Sequence, residues 1–303
     1  MTTQRRSSNG SGGGRRSTTF RTTGMTTSRT FGTGAYGFRL DGVPGAGSLL
    51  VDAPESWPRL SLVREASDER PVTEEVTPDH ACLWLASGGF AELDRAASRA
   101  LLHVPDETTD GALVHPYLAP VALMMARWLG REGMHGGGVV ADGGVWAVLG
   151  HKTAGKSTAL ASLALAGLGV FSDDVLVIDA GTVLAGPRSI DLREEASQRL
   201  GVGEPLGRVG ARERWRLPLE PVAPELPLRG WITLEWGDAI GVEQLRGAER
   251  LAALIPHRGV RLAPAAPDAL LRLSALPHLR LIRPRRWDSL GDATARLVEA
   301  IAG

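Results

Sequence analysis

Residues 145–174 read VWAVLGHKTAGKSTALASLALAGLGVFSDD, and no other stretch constrains the fold as much. The run Val145-Trp146-Ala147-Val148-Leu149 is short, apolar and partly β-branched, the pattern of a buried strand. It leads directly into Gly150-His151-Lys152-Thr153-Ala154-Gly155-Lys156-Ser157, which fits G-x-x-x-x-G-K-[ST]. Behind the loop, residues 158–168 are rich in Ala and Leu, with Leu160, Leu163 and Leu165 available to a buried face and Gly169 as the stop. Strand, glycine loop and helix in that order predict an α/β fold with a P-loop nucleotide-binding core.

The spacing has a physical reason. Glycines let the backbone curl so that successive N–H groups point inward at a phosphate chain, and the helix N-terminus adds partial positive charge. In such a loop Gly150, His151, Lys152, Thr153, Ala154, Gly155, Lys156, Ser157 and Thr158 are expected to cradle the phosphates of a nucleotide. Lys156 reaches the β- and γ-phosphates, and the Ser157 hydroxyl ligates Mg²⁺. The alternative is a glycine-rich turn that binds nothing. Against it stands one fact of composition: Lys152 and Lys156 are the only two lysines beside thirty-two arginines, and both lie in this loop. A chain that otherwise uses Arg for its cations keeps Lys where a compact point charge is wanted.

Downstream, Val170-Phe171-Ser172-Asp173-Asp174-Val175 sets two adjacent carboxylates at a strand end. Adjacent aspartates repel unless a cation or a reacting group uses them. In phosphoryl transfer one ligates or orients Mg²⁺ while the other accepts the proton of the acceptor hydroxyl; in a plain turn both are solvated. Asp179-Ala180-Gly181 reads as a turn. Upstream, Val139-Val140 and residues 145–149 can pair as a hairpin across Ala141-Asp142-Gly143-Gly144, which brings His135 back toward the loop.

The rest of the chain frames this centre. With 303 residues and 43% hydrophobic content it can bury one large or two modest domains. It has zero formal charge, a single cysteine, Cys82, and no apolar run near the roughly 20 residues a membrane span needs. A reduced, cytoplasmic protein with no membrane partner is expected. Residues 1–33 carry six arginines, no acidic residue and little to bury, which predicts a disordered tail. Residues 34–115 break into short apolar runs separated by Gly, Pro and Asp, a β-rich N-terminal region. Residues 116–303 form the P-loop domain, opening on a helix over 116–130 striped by Leu118, Val121, Met125 and Trp128.

In the last third, strands are expected at residues 217–219, 230–236 and 279–283, with residues 240–245 pairing onto 230–236. Helices are expected at 192–200, 248–254, 267–276 and 290–302. Arg280, Arg283, Arg285 and Arg286 read as solvated arginines on and after an edge strand, and neutral net charge argues against nucleic acid.

The succession of His135-Gly136, a strand, Gly150-x4-Gly155-Lys156-Ser157, a helix and Asp173-Asp174 resembles the catalytic domain of HPr kinase/phosphorylase. It is similar still more closely to the small HPr kinase-like proteins of peptide natural-product pathways, lasso peptide biosynthesis included. The resemblance covers residues 133–179 and fades toward residue 290. It implies a nucleotide domain of the phosphoenolpyruvate carboxykinase type and transfer of the ATP γ-phosphate, with Mg²⁺, to a serine of a peptide or small protein. By motif match Asp173 takes the catalytic base role, Asp174 supports Mg²⁺ and Ser157, and His135 sits near the transferred phosphate. The chain departs from that family in lacking a D-S-G-x-G loop and an E-I-R-G-x-G signature; Ser189-Ile190-Asp191-Leu192-Arg193-Glu194 stands in its place. Phosphorolysis and HPr itself as substrate therefore do not follow. Three classes stay open: a peptide or protein serine kinase, a nucleotide-binding regulatory module without transfer, and a small-molecule kinase or ATPase. Homo-oligomerisation is also open.

Overall fold

The computed structural model describes residues 32–67, 71, 73–85, 88–210, 212–260 and 262–302. The expected disordered tail lies outside the described residues except at its end, where Thr33 opens the first strand, Thr33–Ala35.

The N-terminal region is an eight-stranded sheet. Its strands alternate as half-buried strands must: Arg99–Val104 buries Ala100, Leu102 and Val104 on one face. Not all of the short apolar runs are strands: the run Ser48-Leu49-Leu50-Val51 is mostly not extended. Pro44–Leu49 is instead a 3-10 helix with proline in its first turn, and only Val51–Asp52 is extended.

Leu118–Trp128 is the helix that joins this sheet to the next. Pro120 falls in its first turn, where a missing N–H is harmless. Leu118, Val121 and Met125 are buried as the stripe predicts, and so are Ala119, Ala122, Leu123, Met124 and Ala126. A helix apolar nearly all round is a core element.

The second sheet has nine strands and is built on one long strand, Glu225–Trp236. This strand pairs parallel with Gly144–Leu149 on one side. On the other it pairs antiparallel with Thr182–Leu184 near its start and parallel with His278–Arg283 near its end. Glu132–His135 and Gly137–Ala141 are successive parts of one bent strand. They run antiparallel to Val175–Asp179 and Val170–Ser172, which are parted by Asp173-Asp174. The expected hairpin is present, with Asp142 and Gly143 both at positive φ in the two-residue turn.

Two expectations about the last third fail together. Gly241–Gln244 pairs with His278–Arg283 rather than with Glu225–Trp236. His278–Arg283 is thereby flanked on both sides and is not an edge strand. The place beside residues 231–236 is taken by His278–Arg283, so residues 241–244 pair one strand further out.

The helix after the loop is Lys156–Leu165 and stops one turn early, at left-handed Gly167 rather than at Gly169. Leu290–Ala302 packs across it, with Ser162 Oγ and Thr294 Oγ1 2.7 Å apart. A third sheet of three strands, Ser189–Leu192, Arg212–Pro218 and Glu204–Val209, lies beside it. One hydrophobic cluster runs from Ala35 in the first sheet to Leu273, and a second surrounds the loop helix. Among the described residues no helix is long and apolar enough to cross a membrane.

Candidate active site

The loop leaves the buried strand Gly144–Leu149 and enters its helix through Gly155, whose φ of +78° a side chain rarely adopts. A Cβ there would also lie 2.8 Å from Arg283 Nη2 and 3.3 Å from Trp236. His151, Lys152 and Thr153 face solvent, Ala154 is buried, and Gly155 to Thr158 are half-buried. The His151 ring lies 5.3 Å from that of buried His257.

Lys156 folds inward. Its Nζ donates to the Gly150 carbonyl at 2.9 Å and stands 3.5 Å from His135 Nε2. Burial pushes its ammonium below the usual lysine range, while Asp174 and Asp173 pull it back up. Withdrawal from water and the charge of Lys156 lower the His135 imidazole in turn, against Asp174. His135 therefore favours its neutral form.

The acid pair sits where the two bent strands turn together. His135 is opposite Val175 and Gly138 is opposite Ser172, which leaves Asp173 and Asp174 facing the Gly136–Gly137 bend. Both glycines are required there. A Cβ at Gly136 would meet the Val148 carbonyl at 2.7 Å, and one at Gly137 would meet Leu160 at 2.4 Å. The Gly136 N–H donates to the Asp174 carbonyl at 3.0 Å, and Asp174 turns the chain at φ +71°. Asp173 is 2% exposed. Burial, then Asp174 and Asp191, hold its carboxyl well above the usual carboxylate range.

The Ser157 hydroxyl donates to Asp173, with Oδ1 and Oδ2 both at 3.2 Å. The motif match had set Ser157 with Asp174, but the left-handed turn at Asp174 leaves the first carboxylate toward the helix. Lys156, Ser157, His135, Asp173 and Asp174 are thus brought together, whereas residues 151–153 are not drawn into the cluster. Among the described residues no group of three or more His, Cys, Asp or Glu side chains is arranged to hold a metal. Mg²⁺ needs less, one or two protein oxygens completed by phosphates and water. The Ser157 hydroxyl and the Asp173 carboxylate would supply such a pair, and the repulsion between buried Asp173 and half-buried Asp174 would be offset by a cation.

Asp191, which stands in the place of the missing glycine-rich signature, is locked elsewhere. Its carboxylate is bidentate with Arg216 at 2.8 and 3.0 Å, lies 3.5 Å from Arg214, and is 3.7 Å from His115. Arg193 is exposed at the N-cap of Glu194–Leu200.

Sequence reasoning missed three neighbours of the site. Arg283 was expected in solvent, yet it is 4% exposed and donates to the Ala154 and Gly155 carbonyls at 3.1 and 3.4 Å. Strand alternation counted from buried Leu281 puts Arg283 on the inward face, and that signal was present. Trp236 stacks on it at 4.3 Å. Tyr36, fully buried at the tip of the first hairpin, donates its N–H to Ala185 and packs its ring near Ser172 and Gly186, behind the acid pair.

By sequence the chain matches no known family and no curated protein. Among solved structures it is similar to the HPr(Ser) kinase/phosphatase from Coxiella burnetii, at 14% identity and a TM-score of 0.26, over 56% of this chain and 95% of that one.

Proposed function

We propose that the protein is an ATP-dependent kinase that transfers the γ-phosphoryl group to a serine hydroxyl of a peptide or small protein. One observation carries this reading: the loop lysine and serine, His135 and both aspartates converge at a single helix N-terminus. Phosphate-binding and proton-accepting groups therefore share one site.

Loop N–H groups and the helix N-terminus orient the β- and γ-phosphates. Lys156 exchanges the Gly150 carbonyl for phosphate oxygens. Ser157 and Asp173 would hold Mg²⁺, which when bound would spread the negative charge of the phosphates. Asp174 then accepts the proton as the serine oxygen bonds to the γ-phosphorus and the bond to ADP breaks. Neutral His135, with Nε2 3.5 Å from the Lys156 ammonium, accepts from that lysine and keeps it beside the phosphates. Relative to the motif match the two aspartates exchange roles, because Ser157 selects Asp173.

Paired substitutions test this. Asp174→Asn should cut transfer by roughly 10²–10⁴ with ATP affinity retained. Asp173→Asn should chiefly raise the Mg²⁺ concentration required. The reverse pattern would restore the motif-based roles. ADP release that no serine peptide accelerates would identify an ATPase, and ATP binding without any ADP would identify a regulatory module.

A further inference from the structure

Strand order puts different chemistry on the two flanks of the loop. On one flank, beyond Gly137↔Val148, lie His135 and the aspartate pair. On the other, Glu225–Trp236 pairs with the loop strand as far as Leu149↔Thr233 and then runs three residues further. Trp236 thus ends beside Gly155, paired in register with Arg283. Lys156 and Ser157 lean toward the acidic flank. A triphosphate lying across the loop with its γ end there delivers its nucleoside to the Trp236 flank, at the carboxyl ends of parallel strands.

That flank is built for the task. Trp236 is 38% exposed, and Arg283 and Arg285 lie over its ring at 4.3 and 5.9 Å. Arg283 is buried, its Nε has no partner, and no carboxylate pairs with it among the described residues. A buried cation without a counter-charge is costly, and a polyphosphate on the loop supplies one. Beyond Trp236 opens a cleft of about 380 Å³ lined by Asp238, Ile240, Pro284, Arg286, Asp288 and Asp292 among others, in which Arg286 pairs with Asp288 at 3.4 Å and leaves three carboxylates against one cation. Its carboxylates repel phosphate but accept hydrogen bonds from the O–H and N–H groups of a ribose and a base.

We infer that this flank is the nucleoside subsite: the base lies against Trp236 and Arg285, the ribose turns toward the carboxylates of the cleft, and Arg283 balances the phosphates from behind the loop. The inference rests on the nucleotide-binding reading above.

Calorimetric titration of the full chain and of Trp236→Ala and Trp236→Phe, each with Mg·ATP and with Mg·tripolyphosphate, separates the two. Trp236→Ala is expected to weaken ATP binding on the order of tenfold, to leave tripolyphosphate binding unchanged, and to be largely rescued in Trp236→Phe. Retained tripolyphosphate affinity also shows that the variant is folded. Equal affinity of Trp236→Ala and the unaltered chain for ATP would overturn the subsite while leaving the kinase reading intact. So would equal weakening toward both ligands, because Trp236 would then act through the loop alone. An unaltered chain that binds neither ligand would overturn the nucleotide-binding reading itself.

Discussion

Lys156 is held in a half-buried position by a carbonyl and flanked by an imidazole, so the folded chain gains little from its charge. Lys156→Ala should therefore leave the melting temperature within a few degrees of the unaltered chain. It should lower phosphate transfer by roughly two to three orders of magnitude, as loss of one preorganised charge does. A transfer assay beside a thermal melt checks both. At this scale the phosphate-loop pattern, the hairpin and the family resemblance pointed to Lys156, Ser157, His135, Asp173 and Asp174, and the fold places these five side chains near one another. Which aspartate meets Ser157 was not legible, because that depends on the left-handed backbone at Asp174, and two identical neighbours carry no mark of it. The burial of Arg283 was legible only by counting strand alternation from Leu281, against the ordinary habit of a strand arginine to point to water.

Among elements, the loop–helix turn is the one whose shape matters most. Gly155→Ala adds a side chain at φ +78° and presses it against Arg283 and Trp236. It should cost about 1–2 kcal/mol of stability and should weaken ATP and tripolyphosphate alike, as denaturant melts and titration would show. Elements with strong local codes were legible. The Asp142-Gly143 hairpin and Leu290–Ala302 stand where the pattern put them, and the loop helix is present but a turn shorter at its end. Those governed by distant partners were not. Glu204–Val209 buries only Val209 and owes its extension to Arg212–Pro218, and Gly241–Gln244 followed His278–Arg283 instead of its sequence neighbour.

Over the whole molecule, the N-terminal sheet and the loop sheet share one apolar core, and Arg216, on the three-stranded sheet, ties that sheet to the segment leading into the connecting helix. It pairs with Asp191 and donates to the carbonyls of Gly111 and His115. Arg216→Met should cost about 3–5 kcal/mol by leaving Asp191 short of its main partner in the interior, read as a fall in the denaturation midpoint. Acid should act through His278, which is fully buried beside Thr233 at 2.8 Å and pushed down to about 4 by burial and then by Arg250 and Arg280. The folded state thus prefers neutral imidazole. Its stability is complete above the unfolded value of about 6.5 and is lost as pH falls from there toward 4. His278→Gln should flatten part of that decline in melts taken across this range. The shared core was not legible, because apolar periodicity identifies a buried face without naming what covers it. The most direct test of the central claim is equilibrium titration of the full chain with ATP, with and without Mg²⁺, beside Lys156→Ala. Saturable one-site binding that Mg²⁺ strengthens and Lys156→Ala removes is the expected result. No binding by the unaltered chain, or equal binding by the variant, would contradict it.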